Sequence, residues 1–229
     1  MKDNWHDPGF ASDWDKDTER GNPARLIHLE LIKRIVIDNY RPENTILDIG
    51  AGSGQVEALI MEVLPQANIV AVDSSEVMSV LAKRRLENYL ETVKFIKHDL
   101  NQINKLVLPK HDYKIAIACQ VLHEVPDKKK IIEYIFKKLS HGGIFLLADR
   151  LKVDLDKLEP IYKTVFDWNE HKAKLKWEKS FEFYQEKIAT KDDFAVTLDE
   201  NLGILSAAGF EAACIHLQLD RVLIGGVKK

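Results

Sequence analysis

Only two cysteines, Cys119 and Cys214, occur in this chain of 229 residues. They lie far apart, and neither has a second thiol at metal-ligand spacing. This excludes a disulfide framework and a zinc cluster, and both read as core residues. No stretch approaches the roughly 20 consecutive apolar residues that span a bilayer. Met1 to Phe10 is polar and lacks an apolar signal core, so the expected compartment is the cytoplasm, with no membrane partner. Charge of one sign is scarce as well. With 33 basic against 36 acidic side chains the net charge is -3, and no global field steers the protein toward nucleic acid. Hydrophobic residues at 45% and charged residues at 30% argue against disorder, and the length suits one α/β domain with an insertion.

What the chain does have is the apolar run Ile46-Leu47-Asp48-Ile49, leading into Gly50-Ala51-Gly52-Ser53-Gly54. A buried parallel strand reads as such a run, and the glycines let the backbone turn sharply and approach a ligand at the start of the next helix. The dinucleotide fingerprint needs its third glycine three residues after the second, where this chain has Gln55, so an NAD-type site is disfavoured.

Upstream, Asn22-Pro23 starts a helix to about Asn39 with Leu29, Ile32 and Val36 on one face. Downstream, a helix over Gln55 to Leu64 precedes a strand, Asn68 to Asp73. Asp73 stands 21 positions after Gly52, where a carboxylate can accept hydrogen bonds from both hydroxyls of a ribose. The next helix, Glu76 to Tyr89, presents Val77, Val80, Leu81 and Leu86 to the core and Lys83, Arg84 and Arg85 to water. A third strand, Val93 to Ile96, leads to His98-Asp99-Leu100.

The fourth strand, Tyr113 to Cys119, is nearly all apolar and therefore central. It runs into Gln120-Val121-Leu122-His123-Glu124-Val125, which borders the pocket because open α/β sheets bind ligands outside the carboxyl ends of their strands. A helix from Pro126-Asp127 to Leu139 turns Lys128, Lys129 and Lys130 to water. Ser140-His141-Gly142-Gly143 ends it, and Ile144 to Ala148 is the fifth strand. A helix from Leu198 to Ala208 and two strands, Glu211 to Gln218 and Arg221 to Val227, hinged at Leu219-Asp220, close the chain.

Asp48 two residues before Gly50, with glycines at 50, 52 and 54, resembles motif I of the class I S-adenosylmethionine-dependent methyltransferases. Leu122-His123-Glu124-Val125 resembles motif IV, and the helix, Gly142-Gly143 and strand resemble motif V. The resemblance covers about residues 44–149 and 198–227. It implies a Rossmann-like α/β fold: seven mostly parallel strands in the order 3-2-1-4-5-7-6, the last antiparallel, with helices on both faces. It also implies S-adenosyl-L-methionine as cofactor, with Gly50, Ala51, Gly52 and Gly54 at its methionine part and S-adenosyl-L-homocysteine as product. Asp73 would hold the ribose, with Ser74 and Met78 beside it; Asp99 and Leu100 would meet the adenine. Asp48 would orient the loop or reach the amino group, and Gln120 would line the floor. His123 is the candidate general base, since an unperturbed imidazole titrates near neutrality, although in this family the equivalent residue often only shapes the pocket. No metal is required.

Two stretches fall outside that pattern. Residues 1–21 set Trp5, Phe10 and Trp14 among five aspartates and read as a loosely packed arm or as a lid. Residues 151–196 read as two helices, Asp156 to Trp168 and Glu170 to Ile188, carrying Ile161, Val165, Trp168, Leu175, Trp177, Phe181 and Tyr184. Between Leu151 and Lys191 stand 9 Lys and 8 Asp or Glu, a mixture unlike the one-sided charge of a nucleic-acid surface. The segment reads as a cap over the acceptor site or as a homodimer surface. Trp14, His123 and Tyr184 are the candidate acceptor contacts.

One domain is therefore expected: arm and helix over 1–43, cofactor core over 44–149, cap over 150–197, and last helix and hairpin over 198–229. The expected activity is methyl transfer to a small-molecule acceptor. The layout after strand five is also loosely similar to carboxy-S-adenosylmethionine synthases of tRNA modification. A cofactor-binding subunit without chemistry of its own is the alternative outside enzymes.

Overall fold

The computed structural model describes residues 4–16, 22, 24–173, 181–182, 185 and 194–229. Its centre is a seven-stranded sheet ordered β3-β2-β1-β4-β5-β7-β6, as expected. The strands are β1 Thr45–Ile49, β2 Asn68–Asp73, β3 Val93–Lys97, β4 Tyr113–Cys119, β5 Leu139–Arg150, β6 Phe210–Gln218 and β7 Arg221–Lys228. β1 to β5 run parallel; β7 pairs antiparallel with both β5 and β6.

Alternation along the strands divides the core in two. Leu47, Ile49, Ala116 and Ala118 face α5 (Lys128–Lys138) and α7 (Leu198–Ala208), meeting Ile131, Ile135 and Leu205. Ile46, Ile115 and Ile117 face α2 (Arg25–Asn39) and α3 (Gln55–Met61), meeting Ile32, Val36 and Ile60. A strand covered on both sides is apolar on both faces, which is why Ile46, Leu47 and Ile49 of β1 and Ile115 to Cys119 of β4 are apolar, with Asp48 buried among them. The helix starts follow capping chemistry. The hydroxyls of Ser75 and Thr197 and the carboxylate of Asp127 accept backbone N–H groups at the starts of α4 (Glu76–Arg85), α7 and α5.

Several expectations need correction. On α4 the buried face is Met78 and Ala82, continued by Leu86, whereas Val80 is 55% exposed. Both sets sit at helical spacing, and the sheet takes the one with the small alanine. Arg85 reaches the glycine loop, where it donates to Ser53, and Lys128 is buried. Cys214 is exposed on the edge strand β6, because only its partner strand is covered. Ser140 to Gly143 do not separate helix from strand; they lie inside β5, where the ladder to β4 shifts register between Tyr113 and Ile115.

In the insertion, α6 runs unbroken over Leu155–Ala173 with Ile161 and Trp168 exposed, while Phe181 packs edge-on against Phe166. Most of the second expected helix, including Leu175, Trp177 and Tyr184, lies outside the described residues. The arm forms α1 (Pro8–Lys16), and Trp5 stacks edge-to-face on Phe10 and Trp14 at 5.1 and 5.3 Å. Among the described residues no helix is long and apolar enough to cross a membrane.

Candidate active site

The carboxyl ends of β1, β2, β3 and β4 open onto one cavity of about 800 Å³. Asp48, Gly50, Ala51, Gly52, Asp73, Ser74, Met78, Asp99, Leu100 and Gln120 all line it, as does Trp14 of the arm. Gly54 does not. It ends the turn in a left-handed conformation, its φ +77°, with Ala82 of α4 3.1 Å from where a Cβ would stand. Gly50 is left-handed as well, and a side chain there would run into Val121. The loop backbone is thereby held between Val121 and α4, and the Gly50 and Ala51 N–H groups both donate to the Val72 carbonyl of β2, at 2.7 and 3.1 Å.

Asp73 ties this loop down. Gly52 N–H donates to one carboxylate oxygen and Ser75 N–H to the other, each at 2.8 Å. Burial still holds the Asp73 pKa above its ordinary value, against the pull of those two donors. Each oxygen keeps a lone pair for a ligand hydroxyl. Asp99 accepts from the backbone and side-chain N–H groups of Asn101, both at 2.9 Å, so it caps a turn while facing the cavity. Gln120 has φ 57°, unusual outside glycine, and such strain at a strand end marks a position whose side chain is aimed by its surroundings. Its Oε1 accepts from Arg221 at 3.4 Å, while its buried Nε2 has no partner.

The residues missed by sequence reasoning are polar ones on helices. Arg25, on α2, is buried and lines the cavity. Its guanidinium donates to Gln55 at 2.5 Å and sits over the Trp14 ring at 5.4 Å, and its Nε has no partner. Asp15 of α1 accepts from Arg85 at 2.9 and 3.0 Å, from Gln55 at 3.2 Å and from the Ser53 hydroxyl. Burial raises the Asp15 pKa, but these bonds outweigh it and hold it below the usual value. The Ser75 hydroxyl donates to the Trp5 carbonyl at 2.5 Å, which places Trp5 and His6 on the cavity wall. Only the aromatic and acidic composition of the arm hinted at this.

His123 is placed differently from its candidate role as a base. It is buried, outside the cavity lining, with Nδ1 2.5 Å from Asp149 and Nε2 3.4 Å from Glu124. Burial opposes its charge, but the two carboxylates overcome that and raise its pKa; His123 in turn holds Asp149 low. Both ring nitrogens are engaged, so it offers the cavity no free lone pair. Glu124 is the member of this triad that faces the cavity.

The chain's similarity to known proteins agrees with this arrangement. The family described as Methyltransferase domain matches residues 41–199, more than half of the sequence. The chain belongs to the class I S-adenosylmethionine-dependent methyltransferases. Among curated relatives, the arsenite methyltransferase of Rattus norvegicus is 27% identical over 157 residues, covering 63% of this chain and 42% of that protein. The chain thus spans less than half the length of that relative. The carboxy-S-adenosyl-L-methionine synthase of Campylobacter lari is 23% identical over 212 residues, covering 90% of this chain and 86% of that protein. In fold alone, an O-methyltransferase family protein from Burkholderia thailandensis superposes with a TM-score of 0.69 at 14% identity, covering 98% of this chain and 61% of that one. A methyltransferase of this family binds S-adenosylmethionine, and the donors and acceptors around the cavity fit it.

Proposed function

We propose that this methyltransferase moves a methyl group to a small-molecule acceptor by in-line displacement. One observation carries the reading of the cavity. Three buried polar groups meet there: the Asp48 carboxyl, which no N–H or hydroxyl donor reaches, and Arg25 Nε and the Gln120 amide N–H, neither of which has an acceptor. An acid and a guanidinium facing one space suit a zwitterion, so Asp48 receives the donor's ammonium and Arg25 its carboxylate. Asp73 takes the ribose hydroxyls, and Asp99 with Leu100 the adenine. When bound, the donor supplies a methyl on a cationic sulfur, which keeps the S–C electron pair as the acceptor's lone pair takes the carbon.

The protein's share is then orientation and the exclusion of water, which can account for much of the rate. Trp5, His6 and Trp14 close the cavity as a lid. Cys119, at the cavity wall, is a neutral thiol because burial pushes it up to about 11. The other cysteine stands on β6, so a soft metalloid finds no thiolate cluster in this chain, and an organic acceptor is better served. Calorimetric titration with S-adenosylhomocysteine against NADH tests the cofactor reading, and binding of NADH alone overturns it.

A second reading, conversion of the cofactor itself, is supported by the near full-length match to the Campylobacter lari synthase. Incubation with S-adenosylmethionine and prephenate, followed by mass spectrometry for a carboxylated nucleoside, separates the two.

A further inference from the structure

Behind Asp48 lies a second acid that the cofactor roles leave unused. Glu57, on the first turn of α3, is fully buried, and Asp48 is 1% exposed where it lines the cavity. The two carboxyls meet as a hydrogen-bonding pair of acids, and no donor from another residue reaches any of their four oxygens. Ionised carboxylates are acceptors only, so such a bond exists only while a proton stands between them. The surroundings do not neutralise the pair. Asp73 of β2 adds negative charge, and Arg85 of α4 acts on Glu57 but is bonded to Asp15 of α1. On β4 the Cys119 thiol is neutral, and on α2 Arg25 lines the cavity. Burial pushes Glu57 up to about 7, and burial together with Glu57 holds Asp48 well above the usual carboxylate range.

We propose that Glu57 is a positioning residue for the donor's amino group: it holds Asp48 through a shared proton, and the arriving ammonium displaces that proton to solvent. The inference rests on the cavity being the S-adenosylmethionine site. The step balances, since one carboxyl O–H bond breaks, its proton goes to water, and an ammonium N–H takes its place against Asp48. One positive charge enters as one leaves, and no electrons are transferred.

The test is calorimetry of S-adenosylhomocysteine with the full chain between about pH 5.5 and 7.5, where an α-ammonium stays largely charged. Buffers of different ionisation enthalpy count the protons exchanged. The wild type is expected to release up to about one proton and to bind up to about tenfold tighter per pH unit gained, because the ligand favours the deprotonated pair. Glu57→Gln, whose amide N–H satisfies Asp48 permanently, is expected to lose both the slope and the proton release; Glu57→Asp is expected to restore them in part. A Glu57→Gln protein with the wild-type slope overturns the proposal. So does the absence of proton release in the wild type, a result that stands even if the variant fails to fold. No binding by the wild type at any pH overturns the cofactor reading instead.

Discussion

Asp73 performs two tasks with one carboxylate, holding the Gly52 and Ser75 N–H groups and facing the cavity. Hydrogen bonds to a charged group contribute about 1.5–3 kcal/mol, so Asp73→Ala is expected to weaken S-adenosylhomocysteine binding by at least about tenfold. Unchanged affinity by calorimetry removes Asp73 from the ribose role. The His123–Asp149 pair makes a prediction about stability. His123 has a raised pKa, so its contribution is complete below about pH 6.5 and fades as pH rises through the folded value. Asp149 has a lowered pKa, so its contribution is present above about pH 4 and is lost as pH falls through the folded value. Breaking a buried pair costs about 3–5 kcal/mol, so Asp149→Asn should lose about that much at a pH near 6. The loss should shrink as the pH is raised to about 9, the direction that takes the proton from His123. Urea midpoints measured at both values check this, and an equal loss at each would show that the ion pair is not what matters.

At the scale of elements, what the sequence made legible follows from how each segment meets its neighbours. β1 and β4 are covered on both faces, so their apolar runs and the glycines after β1 could be read directly, and with them Asp48, Asp73 and Gln120. Helices are ambiguous because one side always faces water. On α4, Val77 and Val80 read as the core face that Met78 and Ala82 form instead, and Arg85 and Lys128 read as facing water, while nothing in the sequence marked Arg25 or Glu57. Their placement arises only when segments far apart in sequence meet, as when Asp15, Ser53 and Arg85 close on one another. The arm is the clearest case. Deleting residues 1–21 removes Trp5, His6 and Trp14 from the cavity wall, and aromatic contacts of about 0.5–1.5 kcal/mol each predict about a tenfold loss of S-adenosylhomocysteine affinity. The urea midpoint should move little, because the sheet and both its cores lie beyond the arm. A truncated chain that binds as tightly as the whole one sinks the lid.

Across the whole molecule, the cavity draws its walls from the ends of four strands and from the arm, so a ligand filling it links segments that lie far apart in the sequence. Ligand binding to the folded state alone stabilises it by mass action, about 2.7 kcal/mol at a concentration 100 times the dissociation constant. For a chain of this size each kcal/mol moves the melting midpoint by about 2–4 °C. Saturating S-adenosylhomocysteine should therefore raise the midpoint by about 5–11 °C, whereas NADH should leave it unmoved. The difference traces to the loop, where Gln55 stands in place of the glycine a dinucleotide needs and turns its side chain to Arg25 and Asp15. Equal shifts with the two ligands would mean that the cavity reads only the adenosine they share, and that Arg25 and Asp48 take no part in choosing the cofactor.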